Sequence, residues 1–411
     1  MKKIDNRKRL AWYMLAPVLI MALFSACKKQ ESNIEVVSND KTKPGVVTDV
    51  KVKNFNGGAY ITYKLPASAN LLYVLADYKI NDKRSRQTKA SYYTDTIMVD
   101  GFAQTKEYQV TLYAVSRANI KSDPVVVTVH PDLPEYLLVN TGLALTPDFG
   151  GVNVFGLNKT NAPVAIHVIS PNAVTGKYDE QEPQYVSADT VNFSVRGYED
   201  KPVKFGVFTT DKYGNYSDTV FTTLTPYHEV LLDKSKFFVY HLASDSEIGY
   251  GWELRRFFDG STDEPNGWHT NPGASPTIQG TFGLGVKAQL SRFTLWERVS
   301  GAYGYANAKR FTVWGSDKDA PQDIALPNNS MAGTIVGDWV NMGSYNFPNP
   351  PSGLPANQAN AQDISFVANG VNFNVNIAAP PAKFIRFVIN QTWGGVDYGN
   401  TMEISLYGNP L

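Results

Sequence analysis

Hydrophobic and polar positions alternate along most of this chain, and the dominant period is two. From Pro44 onward, Val47, Val50 and Val52 stand among polar residues, the turn Asn56-Gly57-Gly58 follows, and Ala59 to Tyr63 alternates again. Alternation of this kind marks a half-buried strand, and an Asn-Gly turn between two such runs marks a hairpin. Further strand-like runs cover Leu71 to Ile80, Thr96 to Val99 and Tyr108 to Val115, and Ser122 to Val129 closes the unit. About seven short strands thus fall within residues 44–131, and Pro131 and Pro134 then mark a linker.

A second β unit follows to about residue 228. Its segment FGVFTTDKYGNYSDTVFTTL repeats the plan of the earlier YAVSRANIKSDPVVVTV: an alternating strand, a polar turn, a serine and another strand. Ser122 and Ser217 lie 95 residues apart, one sandwich domain's length, so the two units read as an internal repeat. The last unit spans residues 229–411. Its strands read SRFTLWERV, AKRFTVWGS, KFIRFVIN and MEISLYG, and it holds six of the seven tryptophans. Between Ser316 and Asn374 lies an Asn/Pro/Gly-rich stretch containing NFPNPPSGLPANQANAQ, too irregular for core and read as elaborated loops.

Strand number and spacing imply immunoglobulin-type sandwiches for the first two units. EYQVTLYAVSRANIKS resembles the penultimate strand and turn of a fibronectin type III domain, which makes residues 44–131 fibronectin III-like and residues 132–228 a second Ig-like domain. Such scaffolds serve many purposes, so the fold implies nothing about function. His130, His167 and His228 are isolated, and neither unit offers a catalytic cluster.

Composition narrows the class. With 38 basic and 38 acidic residues the formal net charge is zero, and a nucleic-acid partner would demand a basic excess. The single cysteine, Cys27, excludes an intrachain disulfide and a cysteine-based zinc site. Its position is informative. Lys2, Lys3, Arg7, Lys8 and Arg9 precede an apolar run from Leu10 to Ala26, and Phe24-Ser25-Ala26-Cys27 closes it. The run is short of the roughly 20 residues that span a bilayer. It reads as a lipoprotein signal peptide over residues 1–26, with Cys27 the lipidated first residue of the mature chain. Residues 27–43 are polar and aperiodic, a flexible tether.

The C-terminal unit resembles the discoidin family, comprising coagulation-factor type C domains and related galactose-binding-like carbohydrate modules. The resemblance is carried by the Asp259-Gly260 turn leading to Trp268-His269-Thr270, the strands SRFTLWERV and KRFTVWGS, and the terminal EISLYG, in the family's order. It implies an eight-stranded jelly-roll sandwich. The chain as a whole, an all-β series of two Ig-like sandwiches and a discoidin-like domain behind a lipobox, resembles a surface glycan-binding lipoprotein of Bacteroidota. That resemblance implies an outer-membrane, cell-surface location, membrane attachment by acyl chains on Cys27, a glycan ligand and an outer-membrane importer complex as partner.

The resemblance also implies site residues. A structural calcium would sit near the Asp-Gly turn, with Asp259 and Glu403 as acidic ligands and Asn266 where the family has a threonine. By order and approximate spacing, His269, Arg298 and Asn307 match the family's hydroxyl-reading His, Arg and Asn. Sugar rings also need an aromatic face. Trp393, in the Gly-flanked QTWGGVDYGN, is the candidate platform, with Tyr398 in reserve and Trp296 and Tyr303 as further candidates. Trp268 and Trp314 are expected in the core.

Enzyme signatures are missing from the sequence: it contains no G-x-S-x-G elbow, no H-E-x-x-H and no Walker loop. A glycosidase would need two placed carboxylates. The expectation is therefore a non-catalytic binding protein. The rival role, docking of a protein partner, predicts a flat aromatic patch without a sugar-sized concavity.

Overall fold

The computed structural model describes residues 38–172, 174–273 and 277–411. The signal peptide, Cys27 and the first part of the tether lie outside the described residues. Contacts divide the chain into two compact units, with the break between Pro134 and Glu135.

In the first unit, β1 (Thr48–Phe55), β2 (Gly58–Lys64) and β5 (Thr96–Asp100) form one antiparallel sheet in the order β1-β2-β5. The other sheet, β4-β3-β6-β7, is built from β3 (Leu71–Lys79), β4 (Ser85–Ser91), β6 (Tyr108–Ser116) and β7 (Val125–Val129). Three strands on four is the fibronectin III-like arrangement. The alternation in sequence becomes alternation in burial: Ala59, Ile61 and Tyr63 are buried while Tyr60 is exposed.

The second unit begins with a helix, Glu135–Thr141, and continues into another sandwich. One sheet runs β13-β9-β8, from β8 (Ala144–Asp148), β9 (Gly151–Leu157) and β13 (Thr190–Arg196). The other joins β10 (Val164–Pro171), β11 (Tyr178–Glu180), β12 (Gln184–Val186), β14 (Val203–Asp211) and β15 (Val220–Leu224). Val152, Val154, Ile166, Phe205 and Val207 fill its core. The repeated serines do the same work in both Ig-like sandwiches. Ser122 Oγ accepts the Ala114 N–H at 3.0 Å and donates to the Asp123 carbonyl. Ser217 Oγ accepts the Thr209 N–H at 2.9 Å and donates to the Asp218 carbonyl. In each case a hydroxyl takes over a backbone donor where the last hairpin departs from its ladder.

The C-terminal sandwich follows in the same unit. Glu229 joins it to the preceding one, since its carboxylate meets Arg292 at 3.1 Å and Arg196 at 3.8 Å. The organising strand is β19 (Ile278–Trp296), which follows the short β16 (Val230–Leu231), β17 (Phe238–Val239) and β18 (Trp268–His269). Its first half pairs with β24 (Ala382–Thr392), and its second half pairs with β26 (Glu403–Pro410) and β23 (Val371–Asn374). Register slips between Gly283 and Ala288, and Gly285 there has φ +66°. A side chain at Gly285 would stand 2.4 Å from the Lys236 carbonyl, so the bend requires glycine. The bent strand joins the β16–β26 side to the side formed by β24, β20 (Ala308–Ser316), β22 (Trp339–Asn346) and β21 (Ile335–Val336). The result is a discoidin-like jelly-roll β-sandwich. Phe257, Trp268, Phe282, Phe293, Phe311 and Phe387 pack in its centre.

One expectation is corrected here. The stretch from Ser316 to Asn374 is not simply loop. It supplies β22, a helix at Ala361–Ala368 and β23, and it buries Trp339, Met342, Phe347 and Val367. Two polar devices allow an irregular sequence to do this. Asn360 and Asp363 cap each other's backbone as a capping box, starting the helix amid prolines and asparagines. Arg386, fully buried, donates to the Ile324 carbonyl at 3.0 Å and pairs with Asp323 at 3.1 Å, anchoring the segment before β21 to the sheet. Trp314 and Trp268 are fully buried, as expected.

Candidate functional site

The short ladder between β18 and β25 (Asn400–Thr401) builds the site. Trp268 pairs with Thr401 and His269 with Asn400. With side chains alternating along a strand, Trp268 enters the core while His269 and its partner Asn400 share the other face. That face floors a pocket of about 270 Å³, lined by Tyr250, Trp252, His269, Arg298, Tyr305, Ala306, Tyr398 and Asn400.

His269 is held in one tautomer. Its Nδ1 lies 2.7 Å from the Thr270 carbonyl, and a carbonyl only accepts, so Nδ1 carries the proton and Nε2 is left as an acceptor. Burial depresses its pKa; the Thr270 bond opposes this, and the Arg298 charge adds to the depression. Three rings surround it. Tyr250 and Trp252 present edges at 4.9 and 5.7 Å, and Tyr398 stacks at 5.5 Å.

Arg298 lies with its guanidinium carbon 5.4 Å from the Trp252 ring centre, and its Nε donates to Glu264 at 3.0 Å. Its two terminal amino groups make no hydrogen bond among the described residues. Glu264 also accepts from the Ser300 amide and hydroxyl. Burial pushes its pKa up, but the Ser300 and Arg298 contacts outweigh that and hold the carboxylate below its ordinary range. Arg298 is therefore aimed by its Nε, with a planar pair of donors left over. Asn400, 1% exposed, adds a side-chain oxygen without a partner.

The structure brings together His269, Arg298 and Tyr398 from the residues singled out in sequence. Asn307 is placed differently: its amide donates to the Arg298 and Gly301 carbonyls at 2.9 and 3.1 Å, shaping the loop behind the pocket. Trp393 and Tyr303 line a neighbouring depression of about 670 Å³ that shares Tyr305 with the pocket. Trp393 is half-buried, with the Lys309 ammonium 4.8 Å from its ring centre and the Tyr303 edge at 5.1 Å. Trp296 packs on Gly370, where any side chain would come within 2.5 Å of the indole. Reasoning from sequence missed Tyr250, Trp252 and Asn400. Tyr250 and Tyr305 are 74% and 71% exposed and both adopt positive φ, 55° and 45°. Non-glycine residues in that region repay attention, but no sequence pattern reveals them.

The expected calcium ligands are also engaged. Glu403 accepts from the Lys234 ammonium at 2.5 Å and from the Gly260 N–H at 2.8 Å. Burial raises its pKa to about 7, although Lys234 and Gly260 pull it down. Asp259 Oδ1 accepts from the Ser261 N–H, and Asn266 Oδ1 from Arg256. Calcium takes six to eight oxygens. Among the described residues no group of three or more His, Cys, Asp or Glu side chains is placed to hold a metal. The side-chain oxygens expected to serve it accept hydrogen bonds from Lys234, Gly260, Ser261 and Arg256 instead.

Three family models match the chain, each a domain of unknown function: DUF4959 over residues 44–131, DUF5126 over 132–235 and DUF5000 over 258–408. Among curated proteins, none matches. Among solved structures, the chain is similar to a SusE-like protein from Bacteroides, at 28% identity over 68% of this chain and 100% of that one, with a TM-score of 0.41. It is also similar to a family 32 carbohydrate-binding module of a family 31 glycoside hydrolase from Clostridium perfringens, at 16% identity, 44% and 95% coverage and a TM-score of 0.32. An F5/8 type C domain from Bacteroides fragilis matches at 16% identity, 45% and 100% coverage and a TM-score of 0.30.

Proposed function

We propose that the C-terminal sandwich is a non-catalytic carbohydrate-binding module whose site is the His269–Arg298 pocket. The observation that carries this reading is the pairing of a neutral imidazole acceptor with a guanidinium donor pair inside an aromatic wall. A sugar presents hydroxyls that both donate and accept, beside a face of C–H bonds that packs on a ring. His269 Nε2 would accept from one hydroxyl, the Arg298 amino groups would donate to its neighbours, and Tyr250, Trp252 or Tyr398 would take the C–H face. No carboxylate lines the pocket, whereas glycoside hydrolysis needs two. The concavity also favours a small polar ligand over a flat protein docking patch.

On this reading the chain is held to the outer membrane through acyl chains on Cys27, presents its module at the cell surface and passes captured glycan to an importer. Weak single sites on many anchored copies would still retain a polymer, through effective concentration. Among the described residues no helix is long and apolar enough to cross a membrane.

A glycan array probed with the full chain, alongside His269→Ala and Tyr250→Ala variants, tests the reading. Binding to a defined sugar that both variants weaken, His269→Ala by about tenfold or more and Tyr250→Ala by about two- to tenfold, with unchanged melting, is expected. Glycan binding that neither variant alters would place the site elsewhere, and a folded chain that binds no glycan would remove the reading.

A further inference from the structure

Three distant segments meet at the carboxylate of Glu403. The first is the approach to β17. Leu232, 2% exposed, donates its N–H to the Leu406 carbonyl, and Phe237 is buried against Phe258 with ring centres 5.8 Å apart. Between these two pins Asp233 caps a single 3-10 turn, Lys234–Lys236, accepting from the Ser235 N–H at 3.0 Å and its hydroxyl at 2.6 Å. The turn is thus fixed at both ends and at its start, and it aims Lys234 inward. The second segment is the turn Leu254–Phe258, whose Phe257 and Phe258 are buried and whose exit is Asp259-Gly260. The third is the start of β26, where Glu403 is 2% exposed.

We propose that the Lys234 ammonium is a built-in cation that does the work of a structural metal here, and that the domain is calcium-independent as a result. Its Nζ stands 2.5 Å from Glu403 Oε1, with a side chain only 20% exposed. The other oxygen is taken by the Gly260 N–H at 2.8 Å. A bound calcium would tie the Asp-Gly turn to the terminal strand by sharing oxygens between them. The ammonium achieves the same join with opposite bookkeeping: it supplies donors to the carboxylate, and the backbone turns an N–H, not a carbonyl, toward it. Chain connectivity holds this cation at its partner at any external calcium concentration. The inference does not depend on what the His269 pocket binds.

Thermal unfolding of the full chain in millimolar calcium chloride and in EDTA tests it, together with Lys234→Met. If wild type held a structural calcium at a thousandfold above its dissociation constant, calcium would raise the melting temperature by on the order of 10 °C. The expected result is a shift of about one degree or less. Lys234→Met, which keeps the length of the side chain and removes the charge, should melt lower by on the order of 10 °C, because a buried carboxylate loses its partner. A calcium-dependent rise in wild type, or a Lys234→Met variant as stable as wild type, would overturn the proposal. Should Lys234→Met fail to fold, the wild-type comparison decides alone.

Discussion

His269 and Asn400 face each other across a two-residue ladder, and the register that pairs them also pairs Trp268 with Thr401. One short contact between strands therefore sets a core tryptophan and a pocket histidine at once. A slip of one residue would exchange them, turning a charged-capable ring into the core and an indole into solvent.

On the proposed function, the tautomer of His269 should make sugar binding pH-dependent. Its pKa lies below the ordinary 6.5, chiefly through burial, so the ring is neutral at pH 7 and Nε2 accepts. Protonation would turn that acceptor into a donor and place a second positive charge beside Arg298. Binding should hold from pH 8 to about 6.5 and fall as pH drops through the lowered pKa. The sign for stability is the same: a depressed histidine contributes above its unfolded pKa and the contribution is lost on acidification. Calorimetric titrations of a sugar between pH 5 and 8 check this, and His269→Gln should flatten the profile.

Tyr250 and Trp393 should separate binding from stability. Tyr250 is 74% exposed, so Tyr250→Ala should leave melting unchanged while removing a ring contact of about 0.5–1.5 kcal/mol, a loss of roughly two- to tenfold in affinity. Trp393 packs against the aromatic core, and Trp393→Ala should destabilise by about 3 kcal/mol, the lower end for a buried tryptophan, with a smaller direct effect at the pocket. Denaturant unfolding and array binding on both variants distinguish the two. Equal losses of binding at equal stability would show that the ligand reaches the second depression.

Arg386 should be indispensable to the fold. It is fully buried, pairs with Asp323, donates to Thr281 at 2.9 Å and lies 3.8 Å from the buried Asp245, whose pKa burial already raises. Arg386→Met should cost about 3–5 kcal/mol by stranding those carboxylates, and should loosen the segment before β21. Urea unfolding gives the first number, and faster amide exchange at Ile324 to Leu326 the second.

Glu297 is 1% exposed and neither carboxylate oxygen completes a hydrogen bond. Burial drives its pKa well above the ordinary value, with the Ala308 amide as the only opposing influence. The folded state therefore favours the protonated acid. Stability contributed by that preference is full below about pH 4.5 and is lost as pH rises toward the raised pKa. Glu297→Gln, neutral at every pH, should gain stability relative to wild type as pH increases from 5 to 8. Melting curves across that range show whether the gap opens with this sign.

What sequence alone determined is what depends on neighbours in the chain. Period-two alternation marked the strands, and the matching serines at 122 and 217 marked a repeated hairpin exit that recurs with the same two hydrogen bonds. Trp268 was legible as a core residue at a strand start, and it is fully buried. Tertiary structure decided which residues meet. Tyr250 and Trp252 come from an irregular loop and Asn400 from a two-residue strand, none of which carries a periodic signal. Strand β22 and its buried Trp339 hid in a Pro- and Asn-rich stretch because the partners that bury the indole, Trp314, Phe384 and Val388, come from other strands. Lys234 and Glu403, 169 residues apart, join only because two separate turns fold onto one strand end. Local patterning acts through side-chain direction and backbone preference, whereas a site built from distant loops depends on register and closure that no short window of sequence contains.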